Sequence, residues 1–264
     1  MEGKAALIDR FAGISGIPIL LDTKEPDEIV RTIKNIAPSF GGILLEDIGS
    51  PHCFEVEERL KKELSIPVMH DDQHGTAVVT LAAVISASKS AGIELKQANV
   101  GQIGLGAAGL AICRMFLAYG VKNVFGADKD PEAKERLVGY GGQPIESLED
   151  LMETCDIVVA TTGVPGLIQP QWVREGQVIL ALSNPKPEIE PEEALANGAA
   201  YAADGRSVNN VLGFPGIFRG VLNAQAKQIT HPMLVAAAEA IASCTKPGDL
   251  VPHPLNPKVH RVVA

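Results

Sequence analysis

The chain has 264 residues, 46% of them apolar and 21% charged, with 23 basic against 32 acidic side chains and a formal net charge of −9. That balance belongs to a folded chain of one large or two modest domains, and its acidic sign excludes a general binder of nucleic-acid backbone. No apolar run nears the roughly 20 residues that span a bilayer, and Met1-Glu2-Gly3-Lys4 lacks a signal-peptide core, so the expectation is a cytoplasmic protein with no membrane partner.

The first third alternates apolar runs with amphipathic stretches. The pattern predicts strands over Ile17 to Leu21, Gly42 to Glu46 and Ile66 to Met69, with helices over Asp27 to Asn35 and Phe54 to Leu64 between them. A helix from Thr76 to about Ser90 follows, ended by Ala91-Gly92. From Asn99 the alternation resumes: strand Val100 to Ile103, helix Ala108 to Tyr119, strand Val124 to Ala127, helix Pro131 to Val138, and strands Ile157 to Ala160 and Val178 to Leu182. This second unit has the size of a dinucleotide fold. The fold class is α/β, a parallel-sheet domain followed by a doubly wound Rossmann-type domain. The expected division is 1–92, 93–225 and 226–264. The last part is an Ala-rich helix, His231 to Ser243, and a tail whose Pro247, Pro252, Pro254 and Pro257 predict an extended wrap. Cys53, Cys113, Cys155 and Cys244 stand far apart without a CxxC and read as reduced, mostly buried thiols; the histidines are assigned no zinc chemistry.

Gly104-Leu105-Gly106-Ala107-Ala108-Gly109 is a GxGxxG between a predicted strand and a predicted helix. Gly104 permits the turn, Gly106 lets a pyrophosphate approach the backbone, Gly109 lets helix and strand pack, and the helix N-terminus attracts the anion. Asp128 ends the next strand, nineteen residues after Gly109, where a carboxylate hydrogen-bonds ribose hydroxyls and repels a 2′-phosphate; NAD is favoured over NADP, with Lys129 softening the preference. Thr162, just past the strand Ile157 to Ala160, joins the cofactor site.

Two acidic pairs, Glu46-Asp47 and Asp71-Asp72, close strands that a parallel sheet ends on one edge. Oxygen-only ligands select a hard cation such as Mg²⁺ or Mn²⁺; the alternative is solvated strand ends, with Asp72 capping the next helix. Lys4 taken alone is a surface charge. Asn184 in Leu-Ser-Asn-Pro-Lys-Pro and Asn209-Asn210 in Val-Asn-Asn-Val-Leu-Gly-Phe-Pro-Gly supply amides able to orient a carboxylate substrate, or make ordinary Asx turns.

Together Met1-Glu2-Gly3-Lys4, Gly42-Ile-Leu-Leu-Glu46-Asp47, His70-Asp71-Asp72-Gln73-His74-Gly75-Thr76-Ala77, the Gly104 to Gly109 turn, Ala181-Leu-Ser-Asn184-Pro185 and Val208 to Arg219 resemble the malic enzyme family over most of the chain. The resemblance implies metal-dependent oxidation and decarboxylation of malate to pyruvate and CO₂ with NAD reduction. Glu46, Asp47 and Asp72 then correspond to the metal ligands, Lys4 to the general base, with its pKa lowered by a nearby cation, and Asp71 to the carboxylate beside it. Asn184 and Asn210 correspond to the substrate amides, Asn184 serving the cofactor as well. The family's tyrosine acid and substrate arginine lie upstream of the segment at which this chain starts, and Gly205 to Val208 is shorter than in many relatives. Weak or absent turnover of this chain alone is therefore expected. The alternatives are a non-catalytic NAD- and metal-binding module that associates with a complete subunit, and a metal-independent amino-acid-dehydrogenase-like enzyme. A homo-oligomer is also expected.

Overall fold

A computed structural model describes residues 1–264. Two short strands, β1 (Ile43–Leu45) and β2 (Val68–His70), pair in parallel with Leu45 opposite His70. The pairing places Glu46 and Asp71, the next residues of each strand, at one edge. Two helices cover this ribbon, α2 (Pro26–Ile36) and α3 (His52–Glu63). Ile29, Val30 and Ile33 of α2 form a helix-spaced stripe that closes with Val56 and Leu60 of α3 over Leu45 and Val68.

The second sheet has six parallel strands: β3 (Asn99–Ile103), β4 (Asn123–Ala127), β5 (Gln143–Pro144), β6 (Ile157–Ala160), β7 (Val178–Ala181) and β8 (Tyr201–Asp204). Their spatial order is β5-β4-β3-β6-β7-β8. This is the doubly wound order, reversing between β3 and β6, and it opens a ligand crevice at the carboxyl edge there. Every residue of β6 and β7 is buried, which follows from helices covering both faces. One face packs against a layer of α4 (Thr76–Ala91), α5 (Ala107–Tyr119) and α10 (His231–Ser243). The other packs against α7 (Leu148–Thr154) and α8 (Pro191–Ala196). The remaining helices are α1 (Glu2–Ala12), α6 (Pro131–Tyr140), α9 (Phe214–Asn223) and α11 (Pro257–Val263). Helices α1, α9 and α11 pack on one another. This contact ties the start of the chain to its end.

Four sequence expectations are corrected. Ile17 to Leu21 is no strand: Pro18 offers no N–H, no neighbouring strand runs alongside, and Ile17 and Leu20 are exposed. The tail contains α11, started by Asn256, whose side chain accepts from the Lys258 N–H, with Pro257 at the first helical position where its missing donor costs nothing. The stretch Ala203 to Gly216, to which the sequence pattern assigned no element, holds the end of β8, a single 3₁₀ turn at Asn210–Leu212 and the start of α9. Helix α1, absent from the reading, forms over Glu2–Ala12 and stops where Gly13 turns left-handed at φ 60°. As expected of the thiols, no cysteine is paired, and Cys53, Cys113 and Cys155 are buried.

Candidate active site

Five segments converge at the carboxyl edge of β1 and β2. After β2 the chain makes a wide π turn, Asp71–Gly75, before entering α4. The turn drives the Asp71 side chain inward to complete burial, and Gly75 makes room for it, since a Cβ there would collide with the Asp71 carboxylate. Lys4 reaches in from α1. Its Nζ contacts the Asp71 carboxylate, lies 2.5 Å from Glu46 Oε2 and stands 5.0 Å from the centre of the Phe214 ring. Asn210 donates from Nδ2 to Asp71 Oδ2 over 3.3 Å and to Thr76 Oγ1 over 3.1 Å. Asp47 is left-handed at φ 58°, and its N–H donates to Asp72 Oδ2 over 2.9 Å, so the two acidic pairs are joined directly. Asp72 is therefore not the cap of α4.

Carboxylate oxygens of Glu46, Asp47 and Asp72 lie within 4.8 Å of one another. Glu46 Oε2 is buried and paired with the Lys4 ammonium, and the second carboxylate oxygen of Glu46 makes no hydrogen bond within the protein. Three converging carboxylates with spare acceptor capacity suit a hard divalent cation. Burial pushes the Glu46 carboxyl up to about 7, with Asp72 and Asp71 adding to the rise and Lys4 opposing it. Burial likewise holds Asp71 above the usual carboxylate range despite Lys4 and Asn210. For Lys4, burial works against the ammonium, but the Asp71 and Glu46 charges and contacts prevail and raise its pKa. The lowering expected of the lysine belongs to the site with a cation beside it; the two adjacent carboxylates by themselves act in the other direction.

The turn carrying Asp71 and Asp72 is itself held by Glu57 of α3, which sequence reasoning missed. Glu57 Oε1 accepts from the His70 N–H over 2.9 Å and pairs with Lys61 over 2.8 Å, while Oε2 lies 2.9 Å from His74 Nε2. Burial opposes the Glu57 charge, but His74 and Lys61 overcome it and hold the carboxyl down at about 2. Histidine chemistry was set aside in the sequence although His70 and His74 form an i,i+4 pair around the acidic dyad; the structure turns His74 toward Glu57.

The same turn packs against α5, the helix opened by the glycine motif. Gly104 has φ +87°, Gly109 lies so close to the Gly104 carbonyl that no Cβ fits, and Gly106 is exposed, with open space where a Cβ would point. These are the three roles a pyrophosphate-binding turn requires, and Ala107 and Ala108 begin the helix whose N–H groups face the crevice. Asp128 Oδ2 accepts from the Leu105 N–H over 2.6 Å and Oδ1 from the Asp130 N–H over 2.9 Å, which fixes the carboxylate beside the turn. Lys129 is exposed.

Thr162 and Asn184 lie past the ends of β6 and β7. Thr162 is bonded to Glu188, and Asn184 is exposed, with Gly205 close to its amide. No hydrogen bond joins Asn184 to Asn210. Lys4, Glu46, Asp47, Asp71, Asp72 and Asn210 thus form one group, and Gly104, Gly106, Ala107, Ala108, Gly109 and Asp128 another. Thr162 and Asn184 line the next stretch of the same sheet edge. Phe214, Thr76, Glu57 and Glu188 were not foreseen; the only local sign was an acidic residue, Glu57, on the inward stripe of α3 with Cys53, Val56 and Leu60.

Comparison with known proteins places this geometry. The model of the malic enzyme N-terminal domain matches residues 1–61, and that of the malic enzyme NAD binding domain matches residues 144–264. Residues 69–165 match the NAD binding domain of D-isomer specific 2-hydroxyacid dehydrogenases. All of the chain aligns at 75% identity with NAD-dependent malic enzyme 1 of Bacillus subtilis (strain 168), spanning 60% of that protein's length. All of it also aligns at 41% identity with the bifunctional malic/malolactic enzyme of the same strain, spanning 70% of that protein. Among solved structures, a malic enzyme from Pyrococcus horikoshii superposes with a TM-score of 0.90 at 40% identity, over 100% of this chain and 69% of that one. The chain belongs to the malic enzyme family.

Proposed function

We propose that this chain carries the metal- and NAD-binding portion of a malate-oxidising, decarboxylating active site, with Mg²⁺ or Mn²⁺ held by Glu46, Asp47 and Asp72. The observation that carries the reading is the contact of Lys4 with Asp71 and Glu46, beside three converging carboxylates and on a turn packed against the dinucleotide helix. Residues 1–92 supply the acidic group, 93–225 the NAD crevice, and 226–264 the helices that brace both. A cytoplasmic, homo-oligomeric enzyme is part of the same proposal. No helix is long and apolar enough to cross a membrane.

NAD, when bound, would supply the acceptor for the hydride that leaves malate C2. Lys4 Nζ takes the C2 hydroxyl proton, Asp71 and Asn210 hold the lysine in line for that transfer, and Asn184 orients a substrate carboxylate. A divalent cation, when bound, supplies a Lewis acid for the C2 oxygen and positive charge that offsets the carboxylate field raising the Lys4 pKa. The C3–C4 bond then breaks, CO₂ leaves, and its electron pair forms an enolate that is protonated at C3 to pyruvate. Asp128 excludes a 2′-phosphate, which supports NAD over NADP.

One observation favours a second reading, a binding module completed by another subunit. None of the three tyrosines stands at the acidic group: Tyr119 lies under Lys96, Tyr140 under Arg114, and the Tyr201 hydroxyl donates to the Gly248 carbonyl. The test is an absorbance assay of NADH with malate, NAD and Mn²⁺, with and without chelator, beside a calorimetric titration of NAD. Chelator-sensitive NADH production supports the enzyme; NAD binding without turnover supports the module.

A further inference from the structure

Glu188 is wholly buried and has no cationic partner, an expensive state for a carboxylate unless donors surround it. Here they do. Oε1 accepts from the Thr162 N–H over 2.6 Å, the Thr162 hydroxyl over 2.8 Å and the Ser183 hydroxyl over 2.5 Å, and Oε2 accepts from the Ser183 N–H over 3.4 Å. The network extends outward: the Ser183 oxygen accepts from the Gly163 N–H over 2.8 Å, and the Thr162 oxygen from the Val164 N–H over 3.1 Å. The Glu188 carbonyl accepts from the Ile168 N–H over 3.0 Å.

Thr162 stands two residues past the end of β6 and Ser183 two past the end of β7, and β6 and β7 are neighbours. Glu188 therefore cross-links the two loops that leave the sheet edge on the far side of the strand-order reversal. The near side holds the glycine turn and Asp128, the places for pyrophosphate and adenosine ribose, so a dinucleotide laid across the crevice puts its other nucleoside over these loops. Their exposed surface, Gly163, Val164 and Asn184, is free to meet a ligand, while the anchor beneath is sealed from water.

We propose that Glu188 is a positioning residue for the nicotinamide half of NAD, touching no cofactor atom and acting through Thr162 and Ser183-Asn184. The inference rests on the NAD reading above. An ionised glutamate side chain is acceptor-only, which suits four donors aimed at it; glutamine of the same shape, with its oxygen at the Oε1 site, turns an NH₂ toward the Ser183 N–H and loosens the tie to the loop after β7.

The experiment pairs two probes on the full chain. ADP-ribose binding is followed by calorimetry and reports the near half, while the fluorescence enhancement of saturating bound NADH reports how the nicotinamide ring is held. For Glu188→Gln, the ADP-ribose affinity stays within about two-fold of wild type while the NADH enhancement falls by about half or more. Ser183→Ala, which removes one donor and keeps the carboxylate, shows the same split to a smaller degree and serves if the first variant does not fold. Equal enhancement in wild type and both variants overturns the proposal. Parallel loss of both probes in a folded variant also overturns it, because a merely structural role would not separate them. Wild-type protein that binds ADP-ribose without NADH enhancement removes the nicotinamide from this wall. Wild-type protein that binds neither strikes the NAD reading itself.

Discussion

The glycine turn and the acidic group sit on the two sides of one helix contact but are built in opposite ways. The turn is local: strand β3, Gly104 to Gly109 and helix α5 are continuous in sequence, and only Asp128 comes from elsewhere. Its chemistry is that of backbone N–H groups and excluded Cβ atoms, with no buried charge to balance. The acidic group gathers residues 4, 46–47, 71–72 and 210 from α1, two strand ends and a 3₁₀ turn, and it concentrates carboxylates around one ammonium. A local site forms whenever its strand and helix form. A gathered site depends on every contact that docks its pieces, including α1 against α9 and α11.

The comparison predicts that the two sites fail separately, and the largest effect belongs to the gathered one. Lys4→Ala removes the only cation from the acidic group and the proposed base, so malate-dependent NADH production falls by about 10²- to 10⁴-fold. NAD affinity, measured by calorimetry, stays within about two-fold, because no bond from Lys4 reaches the turn. A matched loss of NAD affinity would show the two regions to be one coupled unit. Next is Gly109→Ala. The added methyl meets the Gly104 carbonyl and the Gln102 amide, and overpacking of this kind costs about 1–3 kcal/mol. NAD affinity falls by at least about ten-fold while Mn²⁺ binding, read by electron paramagnetic resonance, persists in the folded protein. Loss of Mn²⁺ in the same variant would contradict the separation.

That difference in construction also decides what sequence could reveal. Four strands of the Rossmann-type half, β3, β4, β6 and β7, were legible because each is a short apolar run bounded by turn residues, and the glycines and Asp128 stand at fixed offsets along one stretch; the two outer strands, β5 (Gln143–Pro144) and β8 (Tyr201–Asp204), were not read. The pairing of Glu46-Asp47 with Asp71-Asp72 was legible as parallel strand ends, though not which oxygens face one another, since this depends on the left-handed Asp47 and the π turn after His70. Lys4 was recognisable only through family resemblance; nothing in Glu2-Gly3-Lys4-Ala5 announces a lysine docked on a buried aspartate. The Ile17 to Leu21 strand was misread because apolar content without a partner strand does not make a sheet. Glu57 and Glu188 were not foreseen because the partners that give them their roles, His70 and His74 for Glu57 and Thr162 for Glu188, lie 13 to 26 residues away, and the nearer Lys61 and Ser183 do not by themselves mark a buried carboxylate.

A smaller effect separates specificity from affinity within the local site. Asp128→Asn keeps an oxygen able to accept from Leu105 N–H and removes the charge facing a 2′-phosphate. The NAD over NADP preference therefore shifts toward NADP by about ten-fold, a difference near 1.4 kcal/mol, as measured from the ratio of the two dissociation constants. An unchanged ratio would assign the preference to another residue.

The smallest effect lies where the regions meet. His231 opens α10 and faces Arg114 of α5, His74 of the π turn, and Lys61 and Glu57 of α3. Burial, then the positive charges of Arg114, His74 and Lys61, push its pKa down to about 4, with Glu57 opposing. A histidine whose folded value lies below its unfolded value near 6.5 favours folding in its neutral form. That contribution is complete above about pH 6.5 and is lost as pH falls toward 4. The side chain is only partly buried, so solvent screening reduces the contribution to about 1 kcal/mol. Urea midpoints of wild type and His231→Gln, compared from pH 7.5 to 4, should therefore converge on acidification, with wild type losing the more. Glu46 near 7 titrates in both proteins and cancels in the difference, while Glu57, held near 2, stays ionised in the folded protein across this range. Parallel curves would mean that protonated His231 is accommodated in the folded protein without cost.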